Sequence, residues 1–218
     1  MNIYRIGDIP ENKYPFIGGK ARGLDILIKH GFNVPSGFVI TDINGVIDED
    51  NIFKIFDELN LKVVSVRSSA SNEDGENASN AGQFETYLFV NKENLIPSIK
   101  KCIDSINSLR AKAYAEHFEM VENSNKQMNI VVQQMIDSTI AGVLFTSDPL
   151  NAENVLIEAV EGQGENLVSG KKEANRYSIA KDNFSLEGDE LVSTKTLRKL
   201  YDIALKIEQE FDSEMDLE

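Results

Sequence analysis

Residues 63 to 90, VVSVRSSASNEDGENASNAGQFETYLFV, decide how this chain is read. Val63, Val64 and Val66 form an apolar, β-branched run that predicts a buried strand, and the strand delivers Arg67, Ser68 and Ser69 to its end. From Ser71 to Gly82 there is no large apolar residue, so this stretch can neither pack nor repeat at a regular period and is predicted to be a mobile loop. GQFETYLFV then predicts a second strand, with Phe84, Thr86, Leu88 and Val90 on one face and Glu85, Tyr87 and Phe89 on the other. A small-residue flap with an arginine at its root suits a polyphosphate, which needs close backbone N–H groups and a fixed positive charge. Spacing alone fits an ordinary surface hairpin as well, although hairpin loops this long are uncommon and usually functional.

The 218 residues, 41% hydrophobic and 27% charged, are enough to bury a core in one domain or two small lobes. No stretch approaches the roughly 20 apolar residues of a membrane span, and MNIYRIGDIPENKY lacks the basic and apolar regions of a secretory signal. No membrane association and a cytoplasmic location are therefore expected. The single cysteine, Cys102, has no partner for a disulfide and falls on the apolar face of a predicted helix, which makes it a core residue. A formal charge of -14 argues against a nucleic acid partner, whose affinity comes largely from Lys and Arg neutralising phosphates. It does not argue against a nucleotide, because a few local cations set such a pocket and salt screens distant carboxylates beyond about 8 Å.

Before the central stretch, a short strand is predicted from Ile3 to Ile6. Gly18 and Gly19 then open a helix carrying Leu24, Leu27 and Ile28 at helical spacing and ending at Gly31. Lys20 falls in its first turn, where a cation opposes the macrodipole but can reach a phosphate oxygen; a merely solvated lysine fits the residues too. A strand from Phe38 to Thr41, the acidic stretch INGVIDEDN and a short helix from about Ile52 to Leu59 follow. After the flap, Leu95, Ile99, Ile103 and Ile106 predict an amphipathic helix that continues to about Phe118, with His117 as a surface or satisfied histidine.

NIVVQQMI and IAGVLFTSDP are predicted as an antiparallel pair of strands joined by DST. Gln133 at the end of the first reads most simply as solvent-facing. VLIEAV carries Glu158 inside a buried strand, where a carboxylate needs a cation or hydrogen-bond partner, so Glu158 is a site candidate. GQGENLVSG has closely spaced glycines without the GKS or GKT of a Walker loop. NRYSIA reads as an edge or return strand, and a C-terminal helix capped by Ser193 or Thr194 presents Leu197, Leu200, Tyr201, Ala204, Ile207 and Phe211 to the core. MDLE places Asp216 and Glu218 two apart, on one side if extended, where they could hold Mg²⁺ or form a solvated tail.

VRSSASNEDGENASNAGQFETYL resembles the nucleotide-binding segment of the pyruvate phosphate dikinase and phosphoenolpyruvate synthase family, which includes the rifampin phosphotransferases. GGKARGLDIL, VPSGFVIT, VVQQMIDSTIAGVLFTSDP, VLIEAVEGQGENLVSGKKEANRYSI and the closing MDLE resemble the same family in the same order. The resemblance implies an α+β, ATP-grasp-like fold in which two lobes with antiparallel sheets, about residues 1–125 and 126–218, hold ATP between a sheet and a flexible loop. It implies Lys20 and Arg67 as phosphate clamps, Gly82 and Thr86 as backbone and hydroxyl donors of the flap, Gln133 beside the nucleotide and Met135 facing adenine. It further implies Glu218, with Asp216 and Glu158, as metal or ribose ligands, and ATP and Mg²⁺ as cofactors.

Between the GGK and VRSS stretches the family usually carries a longer helical insertion, which a short acidic connection replaces here. Relatives also continue past the position of Glu218 into a Gln and an Arg, so a chain ending there is expected to be a piece of a longer protein or to hold an incomplete pocket. The implied reaction passes a phosphoryl group from ATP to a histidine on a swivelling domain, and from there to an acceptor on a further domain, in cis or in trans. Neither His30 nor His117 lies in a stretch similar to the family's phosphohistidine. A stand-alone module that binds a nucleotide or partner without turnover, and the ATP domain of a rifampin-type phosphotransferase, are the alternatives.

Overall fold

The computed structural model describes residues 1–43, 46–70, 86–105, 128–168, 170 and 172–218. Gly82, the rest of the predicted flap and His117 with the expected helix continuation fall outside the described residues. The fold is α+β and, among the described residues, has two five-stranded sheets whose pairings are all antiparallel. The chain divides into two compact units, Met1–Ile136 and Asp137–Glu218. No helix among the described residues is long and apolar enough to cross a membrane.

In the first unit, strands β1 (Asn2–Arg5), β2 (Gly37–Thr41), β3 (Val63–Ala70), β4 (Thr86–Asn91) and β5 (Met128–Gln134) form a sheet in the order β1-β2-β5-β3-β4. Alternation sends Phe38, Ile40, Val64, Val66, Ile130 and Val132 to one face, where helices α2 (Glu49–Glu58) and α3 (Lys92–Ser105) cover them with Ile52, Phe56, Leu95 and Ile99. Cys102 lies in this core as expected. The other face presents Val39 and Val131 to Ile17 and Ala21, beside helix α1 (Gly19–Lys29). Asp48 caps α2 by accepting from Asn51 N–H, so the acidic stretch starts the helix earlier than Ile52. Gly31, at φ +79°, ends α1, and Phe32 N–H closes on the Leu27 carbonyl.

Two expectations for this unit are corrected. β5 pairs with β2 and β3, not with the strand that follows it, so the division between units falls after Ile136 rather than near residue 125. Both faces of β5 are buried, and only a central place in a sheet provides that. The second correction concerns β4. Val64 faces Val90 and Val66 faces Tyr87, so Leu88 and Phe89 together stand opposite Ser65 in a β-bulge with Phe89 at φ +53°. The extra residue resets the alternation, and Tyr87 and Val90 both pack on the α2–α3 core although simple period-two reading separates them.

The second unit orders β6 (Ile140–Phe145), β7 (Asn154–Glu161), β8 (Asn175–Ala180), β9 (Leu186–Gly188) and β10 (Asp216–Leu217) as β10-β6-β7-β8-β9. A single helical turn, α4 (Glu165–Val168), follows β7. NRYSIA is thus an inner strand, flanked by β7 and β9, and not an edge. Helix α5 (Thr194–Phe211), capped by Ser193, packs Leu197, Tyr201 and Ala204 on Leu144, Ile157, Tyr177 and Ile179. Buried Tyr177 accepts Val192 N–H with its hydroxyl at 2.9 Å, which joins the helix approach to the sheet.

One buried charge organises the first unit. Asp25 of α1 is fully buried, and its carboxylate accepts from Gly7 N–H at 2.6 Å, Ile9 N–H at 3.0 Å and the Tyr14 hydroxyl at 2.7 Å, with Lys29 Nζ at 2.8 Å. Burial alone would raise its pKa, but the Lys29 and Tyr14 contacts and the two N–H groups outweigh burial and hold it below its ordinary 3.8. The stability it supplies is therefore present above that value and is lost as pH falls through the lower folded value. Asp25→Ala is expected to lower the unfolding free energy by about 3 kcal/mol at pH 7, and less in acid. Urea titrations of parent and variant at pH 7 and below pH 3 check this; a difference that does not narrow in acid would show that the ionised carboxylate is not its source.

Candidate functional site

The start of α1 is tied to the strand that carries Arg67. Gly18 occupies the N-cap at φ +79° and offers no capping side chain. Ser69 of β3 takes that role: its hydroxyl accepts Ala21 N–H at 3.3 Å and donates to the Ile17 carbonyl at 2.9 Å. Asn129, paired with Ser69 across β3 and β5, donates from Nδ2 to the Phe16 carbonyl at 2.7 Å and the Ser69 carbonyl at 3.1 Å. A Cβ on residue 18 would lie 2.5 Å from Ser69 Oγ and 2.7 Å from the Ser69 carbonyl carbon, so only glycine fits there. Lys20 follows in the first turn with its side chain exposed.

Alternation along β3 puts Ser65, Arg67 and Ser69 on one face, the face that α1 partly covers. Arg67 is half-buried, with Nε withdrawn from solvent. It stands opposite Val131 on one side and exposed Thr86 on the other. Gln133 stands in the next row, between Ser65 and Gly37. It is 8% exposed and donates from Nε2 to the Pro35 carbonyl at 3.1 Å, so it does not face solvent. Met135, just past β5, is half-buried and donates its N–H to Val63 at 2.9 Å. The structure thus brings the strands of Arg67, Thr86 and Gln133 and the helix of Lys20 to one face of the first sheet.

In the second unit, Glu158 finds the cation its position demanded in Arg176, whose Nε lies 3.0 Å from Oε1. Arg176 stands directly opposite Glu158 on β8, and nothing in its local sequence marks it; only the strand pairing does. Asp216 pairs with Phe145, which pairs with Leu156, two residues before Glu158, so Asp216 and Glu158 share a face. That face is the reverse of the one on which Leu144, Ile157, Tyr177 and Leu217 meet α5. Glu218 follows β10 and is exposed, as is Asp216. Among the described residues no group of three or more His, Cys, Asp or Glu side chains converges as a metal site.

Comparison with known proteins gives a family match: residues 46–195 fit the model of the pyruvate phosphate dikinase AMP/ATP-binding domain. An uncharacterized phosphotransferase of Bacillus subtilis, YvkC, is 32% identical over 208 residues, covering 81% of this chain and 25% of that protein. The phosphoenolpyruvate synthase of Aeropyrum pernix is 29% identical over 239 residues, covering 84% of this chain and 29% of that protein. The rifampicin phosphotransferase of Bacillus cereus is 38% identical over 136 residues, covering 61% of this chain and 15% of that protein. The chain therefore spans less than a third of the length of these relatives.

Gly18→Ala is expected to destabilise the first unit by about 1–3 kcal/mol, through both the Ser69 contact and the positive φ. Gly23→Ala, within α1 and with nothing within 4 Å of the added methyl, should be neutral or stabilising by a few tenths of a kcal/mol or more. Denaturant midpoints of the two variants beside the parent check the contrast, and equal midpoints would remove the steric argument.

Proposed function

This chain belongs to the pyruvate phosphate dikinase AMP/ATP-binding domain family, and we propose from that membership that it binds ATP as the nucleotide domain of a phosphoenolpyruvate synthase-like phosphotransferase. Lys20 and Arg67 act as the phosphate clamp, with the Thr86 hydroxyl and the Gly82 backbone as further donors, and Gln133 and Met135 border the nucleotide. The observation that carries this reading is the link from Ser69 to Ala21, which joins the helix start bearing Lys20 to the strand bearing Arg67. A helix start and a guanidinium on one face form the chemistry that anionic oxygens require.

In this proposal a histidine nitrogen on a separate domain attacks a phosphorus of ATP, the bond from that phosphorus to its leaving oxygen breaks, and the leaving oxygen takes the electron pair. Lys20 and Arg67 hold the phosphates in line and stabilise the charge that gathers on their oxygens, and positioning and charge stabilisation account for most of the acceleration in such transfers. Asp216 and Glu218 fit Mg²⁺, which keeps several waters and takes only one or two carboxylates beside substrate phosphates. Bound there, Mg²⁺ would supply positive charge. Glu158, with its charge already matched by Arg176, suits a ribose hydroxyl better than a metal. Pyruvate or another small acceptor receives the phosphoryl group from the histidine, on a domain that supplies its own specificity.

Calorimetric titration with ATP and with a non-hydrolysable analogue tests the clamp. Lys20→Ala and Arg67→Ala should each weaken binding by roughly 1.5–3 kcal/mol, the worth of a charge-assisted hydrogen bond. An Arg67→Ala variant that binds ATP as tightly as the parent would overturn the assignment.

A further inference from the structure

Two polar residues lie where the packing of α1 on the first sheet calls for apolar ones. Ser69 and Asn129 are both 0% exposed, and they face each other across β3 and β5 beneath the Phe16–Ala21 turn. Burying such groups costs free energy unless they are fully hydrogen-bonded, and Asn129 is not: its buried Oδ1 has no hydrogen-bond partner among the described residues. A leucine or valine pair would fill the space without that cost. What an apolar pair could not do is hold three main-chain groups of the turn. Phe16 and Ile17 are held by their carbonyls, and Ala21 by its N–H.

Ala21 is the third residue after the Gly18 cap, and its N–H is one that a capping serine at residue 18 would take. Gly18 cannot supply the cap, so the serine comes from 51 positions further along the chain, on the same face of the same strand as Arg67. Displacing Ser69 therefore moves the start of α1 and the end of β3 independently, which separates Lys20 from Arg67. We infer that Ser69 and Asn129 are positioning residues, which hold the Lys20 helix start and the Arg67 strand in the register at which both cations meet one phosphate chain. This rests on the reading of Lys20 and Arg67 as the clamp; neither Ser69 nor Asn129 needs to touch the nucleotide.

The test is calorimetry on the full chain with ATP and AMP as probes, for the parent, Ser69→Ala, Asn129→Ala, Lys20→Ala and Ser69→Ala with Lys20→Ala. Positioning predicts that Ser69→Ala and Asn129→Ala weaken ATP binding about tenfold and AMP binding less than about twofold, because only a polyphosphate engages both cations. It also predicts that Lys20→Ala costs several-fold less in the Ser69→Ala background than in the parent, the mark of coupled residues. Equal losses for ATP and AMP, or a full Lys20 effect in the Ser69→Ala background, would reduce the pair to general support of the fold and overturn the inference.

If Lys20→Ala and Arg67→Ala bind ATP like the parent, the clamp reading fails first. If they lose affinity while Ser69→Ala does not, only the positioning fails. Should the variants not fold, amide exchange in the parent decides: ATP should slow exchange at Ala21 about tenfold more than AMP does, and equal protection by the two would overturn the inference.

Discussion

The pairing of β3 with β5 is the constraint from which the first unit follows. It runs in unbroken register from Val64 opposite Gln134 to Ala70 opposite Met128. In an antiparallel pair, facing residues share a side, so this one register sorts both strands at once. Val64, Val66, Ile130 and Val132 go to the core under α2 and α3, while Ser65, Arg67, Ser69, Asn129 and Gln133 go to the face that α1 shares. A slip by one residue would bury Arg67 among apolar side chains and expose the valines. The energetic penalty for that exchange is large, because an unpaired buried charge and lost apolar burial would add.

The same register makes the start of α1 a tertiary rather than a local structure. Most helices are capped by their own N-cap side chain, as α2 is by Asp48 and α5 by Ser193. α1 begins with glycines, and its cap comes from β3, while its other end of the connection is held by Asp25 gripping Gly7 and Ile9. The connection between β1 and α1 is thus fixed at two points by buried polar groups. Lys20 remains exposed on a helix start whose place is determined by those two anchors. Such fixing suits the phosphate clamp proposed for Lys20, since little reorganisation of the helix start is left.

In the second unit the chemistry is of the opposite sign. Glu158 and Asp216 lie on one face of the sheet, with Arg176 as the balancing charge at Glu158, and Glu218 follows the strand that carries Asp216. β10 is held by its pairing with β6, by Leu217 packed against the core and by the bonds between Met215 and Thr146, whose buried hydroxyl accepts Met215 N–H at 2.8 Å. A short strand secured in this way places Asp216 by backbone bonds to β6.

Much of this was legible in the residues. The β-branched run before Arg67, the helical spacing of Leu24, Leu27 and Ile28, the cap at Ser193 or Thr194 and the need of Glu158 for a cation or hydrogen-bond partner are local patterns, and local sterics and burial decide them. The α+β class and the family followed from stretches that keep their order along the chain. What no local pattern could decide was which segments meet. β5 left the strand after it and joined β2 and β3, the bulge at Leu88 and Phe89 turned Tyr87 to the core, and Arg176 met Glu158 from a neighbouring strand. Ser69 looked like one of two hydroxyls at a strand end and proved to be the cap of a helix 48 residues earlier. Alternation and helical period tell each residue which way to face, because they depend on the backbone beside it. The partner it faces depends on closing the chain over long separations, and only the folded sheet settles that.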